Sequence, residues 1–230
     1  MTRRLCLPLL VSLALLLAWD GAGLEAALIT SAPSPADTPR TPAPGMFLVA
    51  SRYFQDPDFR ETVVYLLQHD THASFGVIVN RPTSLRLAER LQDLAGTALA
   101  SLKLYDGGPV NPELMVTLVE NRAWENGYDA GLLRHVTDGI FASVNPVIIE
   151  RLLHETGRPH ERLRFYFGHI GWVPGQLEGE LERNYWHLVS GDINEVFGPD
   201  AGSLWQRFIE RLEPAVPLLT PEVPLNPGIR

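Results

Sequence analysis

Apolar residues along this chain come in short runs separated by turn formers, and few of the runs are long enough to be helices. "MFLVAS" from Met46, "TVVYLL" from Thr62 and "FGVIVN" from Phe75 read as three strands. The connecting "QHDTHAS" has the composition of a hairpin loop, so the second and third strands are expected to pair antiparallel. "LKLYD" from Leu102 reads as a strand ending at Gly107–Gly108–Pro109. "LMVTLV" from Leu114, "LRFYFG" from Leu163 and "YWHLV" from Tyr185 read as further strands.

Helical spacing is confined to a few places. Thr83 or Ser84 can cap a helix that puts Leu87, Leu91 and Leu94 on one face. "NPVIIERLLHETG" has Asn145 at the cap, Pro146 at the first helical position and Gly157 past the end. Its apolar pairs are Ile148/Leu152 and Ile149/Leu153. After a Pro174–Gly175 turn, Gln176 to Arg183 makes a short helix with Leu177 and Leu181 inward and Glu178 and Glu182 outward. Leu204, Phe208 and Leu212 mark the last helix. Hairpins outnumber crossover units. The expected class is therefore α+β, a single domain with a mixed, mainly antiparallel or barrel-like sheet flanked by helices.

The ends of the chain lie outside this pattern. Arg3 and Arg4 precede an apolar run from Leu5 to Trp19, which is short against the ~20 residues of a spanning helix and suits a signal-peptide core. Residues 1–23 are read as a leader cleaved after Gly23, with Ala27 and Ala32 as other cleavage points. The protein is then exported, most simply to a periplasm; if translation instead starts at Met46, it is cytoplasmic. No other segment reads as membrane-spanning. Residues 24–45 form a linker whose last fifteen residues hold five prolines, and residues 214–230 form a second proline-rich tail. Residues 46–213 are the domain.

Charge and cysteine usage narrow the partners. The net charge is −8, with 27 acidic against 19 basic side chains, which disfavours nucleic acid because phosphate binding depends on Lys and Arg displacing counterions. The only cysteine, Cys6, lies in the leader, so a mature chain has neither thiol catalysis nor disulfides.

Candidate chemistry is sparse. "GHIGWVPGQLEGELERNYW", residues 168–186, gathers glycines, two tryptophans and several polar side chains. On a structural reading its glycines turn the chain, Trp172 and Trp186 fill core, and its glutamates face water. On a functional reading His169, Gln176 and Asn184 converge on a pocket floored by glycine backbone, with Gly171 and Trp172. "DGGPV" is a turn whose Gly107 and Gly108 allow close approach, without the pattern of a phosphate loop. Asn80 and Arg81 complete the ligand-binding candidates. A real site would bring His169, Gln176, Asn80 and Arg81 to one cleft.

His69 and His72 lie in a predicted loop beside Asp70, and Arg158 stands where an HExxH motif begun at His154 needs its second histidine, so no metal site is expected. Asp56 and Asp58 flank Pro57, as in a turn. Arg151, Arg158, Arg162 and Arg164 alternate with leucines and acids, as on a solvated face. The patterns of serine hydrolases, β-lactamases and kinases do not occur. No catalytic residue and no cofactor is assigned; the partner is an unidentified small ligand or protein.

Four stretches in order, "FLVASRYFQDPDFRETVVYLLQHD", "GVIVNRP", "DGGPV" and the 168–186 segment, resemble the YqgE/AlgH family of bacterial proteins over about Phe47 to Leu212. Arg52, His169 and Val173 depart from the family pattern, as does "ELMVTLVEN" after the Gly-Gly-Pro turn. The resemblance implies an α+β fold of β-sheet or barrel-like pieces with flanking helices and no established enzymatic activity. One member's name points to regulation of exopolysaccharide production, from which a transcriptional-regulator label follows. An acidic, exported chain without a helix-turn-helix pattern gives that label little support.

Overall fold

Ten strands, each short and mostly apolar, hydrogen-bond into one strongly curled sheet. The computed structural model describes residues 41–122, 127, 129–154 and 162–214. The strands are β1 (Met46–Ala50), β2 (Val63–His69), β3 (Ser74–Ile78), β4 (Pro82–Arg86), β5 (Lys103–Asp106), β6 (Val110–Glu120), β7 (Arg134–Thr137), β8 (Ile140–Ser143), β9 (Leu163–Trp172) and β10 (Trp186–Ser190). The helices are α1 (Leu87–Arg90), α2 (Ile148–His154), α3 (Gln176–Glu182), α4 (Ile193–Phe197) and α5 (Leu204–Leu212).

The main order is β10-β1-β2-β3-β9-β6-β8-β7, with β4 on β5 and β5 on β9. Among the described strands only β5 and β9 pair in parallel. The expected α+β class, mainly antiparallel and helix-flanked, is what the chain adopts. The expected β2–β3 hairpin is present with His69 opposite Ser74, so His69 ends a strand rather than lying in the loop.

Both faces of the curl are covered, which explains why the strands read as continuous apolar runs instead of strict alternation. Phe47, Val49, Tyr65, Val77, Val116, Leu118 and Tyr166 point inside, where Val196 and Phe197 of α4 and Leu204 and Phe208 of α5 pack against them. Leu48, Val64, Leu66, Ile78, Ile170 and Trp172 point outward beneath Leu177 of α3. Over the other half, Ile148, Ile149 and Leu152 of α2 cover Phe141 and Phe165.

The long strand β9 organises the sheet because it changes neighbours along its length. Phe165–Phe167 lies between β5 and β6, whereas Ile170–Trp172 pairs with β3. Gly168, with φ +75°, marks the change.

Two local expectations need correction. Thr83 and Ser84 are in strand β4, not at a helix cap: the Thr83 hydroxyl donates to the Leu104 carbonyl. Arg86 caps the four-residue α1, and a single 3-10 turn carries Leu94. In α2 the Asn145 Oδ1 accepts from the Val147 amide as a cap should. The Leu153 side chain and Gly157 lie outside the described residues. The proline-rich stretch is also not free over its last residues: Pro42 is buried and the Gly45 amide donates to Leu66 at 2.8 Å.

Candidate functional site

Asn80, Arg81, Gly107 and Gly108 do come together, at the point where β9 changes neighbours. Asn80 is buried, and its Oδ1 accepts from the Val63 amide at 2.8 Å while its Nδ2 donates to the Glu61 carbonyl at 2.9 Å. It thereby holds a bend in which Glu61 has φ +57°. Arg81 donates to the Asp58 carbonyl at 2.7 Å and lies 3.7 Å from the Asp106 carboxylate. The Gly107 carbonyl accepts from Ile78, and the Gly107 amide donates to Phe167.

The backbones there touch. A Cβ on Gly107 would stand 2.3 Å from the Gly168 carbonyl oxygen, and one on Gly108 would stand 2.5 Å from that of His169. The glycines of two motifs sixty residues apart are thus each other's neighbours. Their close approach leaves no room for a ligand between them.

Trp172, Gln176 and Asn184 belong to a different place, the corner built by α3. Glu180 accepts from the indole N–H of Trp172 and of Trp186, both at 2.8 Å, and from Gln176 Nε2 at 2.9 Å. Both indoles are nearly inaccessible to water, so this carboxylate satisfies two donors that burial would otherwise leave unpaired. The Gln176 Oε1 accepts from the Val173 amide. Asn184 adopts φ +57° just past the helix end, the left-handed conformation that closes many helices.

His169 is separate again. Its ring stacks on Phe75 at 4.6 Å, its Nδ1 is buried with no partner among the described residues, and burial holds its pKa below the ordinary histidine value. Gly171 pairs with Phe75 in the β3–β9 ladder and is exposed; a Cβ there would meet only ordinary contacts. His169, Gln176, Asn80 and Arg81 therefore engage four different sets of partners rather than one cleft.

A Ser-His-Glu arrangement, unnoticed in the sequence, lies under α3. The Ser74 hydroxyl is 2.8 Å from His69 Nδ1, and His69 Nε2 is 3.6 Å from Glu178. Ser74 is only 5% exposed, so its hydroxyl is not open to a substrate. The trio clasps α3 to the β2–β3 hairpin. Among the described residues no three His, Asp, Glu or Cys side chains gather as metal ligands.

A concave feature able to receive a molecule lies elsewhere. An open cavity of about 520 Å³ lies at one end of the curl, between β2–β3, the segment at 130–133 and β7–β8. Leu67, Phe75, Val116, Leu133 and Ala142 form its apolar wall, and Gln68, Arg134 and Asn145 supply polar groups. Its size and composition fall in the range of small-molecule sites, ~300–1,000 Å³ and mostly apolar. Nothing in the sequence pattern marks it, because its wall residues look like any other core positions and come from five separate segments.

The profile of the AlgH-like family matches residues 47–216. The chain belongs to that family. A UPF0301 protein of Rhodococcus erythropolis is 34% identical over 174 residues, covering 73% of this chain and 82% of the relative. One of Streptomyces avermitilis is 32% identical over 169 residues, covering 73% and 85%. Among AlgH-like structures, the solution structure of AlgH from Pseudomonas aeruginosa has a TM-score of 0.60 at 27% identity, covering 83% of this chain and 98% of that one. A crystal structure of a protein from Corynebacterium diphtheriae has a TM-score of 0.57 at 26% identity, covering 74% and 87%.

Proposed function

We propose that this AlgH-like chain is a non-catalytic binding protein that takes a small apolar molecule into the cavity at the end of its curled sheet. The observation that carries this reading is the cavity itself, with its wall of Leu67, Phe75, Val116, Leu133 and Ala142. A non-catalytic role is supported by the inaccessibility of Ser74, whose hydroxyl is otherwise the best-placed nucleophile. An uncharged probe that fluoresces in apolar surroundings, N-phenyl-1-naphthylamine, is expected to bind with one-to-one stoichiometry. Ala130→Trp, an exposed rim substitution beside the cavity, is expected to weaken that binding without lowering the unfolding midpoint. Absence of probe binding by the folded parent protein removes the reading.

Export is part of the proposal. It is supported by the order of Arg3–Arg4, the apolar run and the small residues that follow. Cell fractionation with N-terminal sequencing is expected to recover a chain beginning after Gly23 outside the cytoplasm. Recovery of an uncleaved chain in the cytoplasm ends it.

A further inference from the structure

The cavity has a charge as well as a shape. Among the described residues its lining contains no carboxylate, although the whole chain carries net charge −8. Among the described lining residues the one permanently charged side chain is Arg134. Arg134 pairs with Ala142 across the β7–β8 ladder. Ala142 belongs to the interior cluster, and directly opposed residues share a face of the sheet, so Arg134 stands on the same, cavity-lining face.

Several other arginines of the sheet and its flanks are occupied. Arg81, Arg162, Arg164 and Arg207 each bond a carbonyl, carboxylate or amide oxygen of the protein. The Arg134 guanidinium has no hydrogen bond or ion pair among the described residues, and its five N–H donors line an apolar hollow. Two described acids close in sequence to lining segments have hydrogen-bond partners of their own. Asp70 accepts from the His72 and Ala73 amides and from Gln68, and Asp129 accepts from the Gly131 amide.

We infer that the molecule bound is an amphipathic anion, an apolar chain or ring system within the cavity and a carboxylate head on Arg134. This rests on the cavity being a binding site. Its own content is the sign of the head group and the residue that reads it. A cationic head would be repelled by Arg134, and a neutral one would bring no opposite charge to the guanidinium.

The test is displacement of N-phenyl-1-naphthylamine from the full-length protein by dodecanoate, dodecanol and dodecyltrimethylammonium. Dodecanoate is expected to displace at about fivefold lower concentration than dodecanol, the advantage of a partly exposed ion pair, with the cation weakest. Arg134→Gln should bring dodecanoate level with dodecanol and leave dodecanol unchanged, while Arg134→Lys keeps part of the preference. Rising salt should erode the dodecanoate advantage alone. If dodecanol displaces as well as dodecanoate, or if Arg134→Gln keeps the preference, the anion inference falls while the cavity reading stands. If the probe never binds, the cavity reading falls and this one with it.

Discussion

Gly168 and Gly108 cross so closely that a Cβ on Gly168 would stand 2.1 Å from the Gly108 carbonyl oxygen. This contact, between two of the most site-like motifs in the chain, is what lets β9 leave β5 and join β3. Gly168→Ala adds a left-handed alanine to that clash and is expected to cost at least about 2 kcal/mol. Gly202→Ala, where a Cβ meets nothing within 4 Å, should change stability by less than about 0.5 kcal/mol. Urea unfolding midpoints of the two variants decide it; equal midpoints would mean that the crossing tolerates a side chain.

The strands were legible because most are buried on both faces and so keep unbroken apolar runs. β4 was not: "PTSLR" is largely exposed and begins with proline, so neither composition nor alternation marks it. The β7–β8 hairpin had a signal in Asp138–Gly139, but its strands are only four residues each. The glycine, Asn-Arg-Pro and tryptophan motifs were visible as special positions, yet their meaning depended on what they face. Glu180 could have been found: it is three residues after the inward Leu177 and four after Gln176, so a carboxylate there points toward the core. Arg134 could not, since nothing in the local pattern says that its strand borders a cavity.

Glu180 joins both tryptophans of the corner. Replacing it by alanine leaves two buried indole donors without a partner, and the expected loss is ~2–4 kcal/mol. Glu180→Gln keeps an acceptor oxygen and should lose less than half as much. Thermal unfolding followed by near-ultraviolet circular dichroism separates the variants. If alanine and glutamine are equally mild, the carboxylate is not what pins Trp172 and Trp186.

His169 gives the fold a pH dependence whose sign is determined by burial. Desolvation disfavours its charged form, so its pKa in the folded chain lies below the unfolded value of ~6.5. The corresponding stability is fully present above about pH 6.5 and is lost as pH falls through the folded pKa, because the unfolded chain takes the proton first. Asp70 acts in a lower window. Hydrogen bonds from the His72 amide, the Gln68 side chain and the Ala73 amide lower its pKa to about 2. Its contribution is therefore lost only as pH falls below about 4 toward that value. His169→Phe keeps a ring against Phe75 and removes the unpartnered Nδ1. The variant is expected to lose less stability than the parent as pH falls from about 7.5 to 5. Urea midpoints measured across that range test this. Parallel curves for parent and variant would show that His169 takes up its proton as readily folded as unfolded.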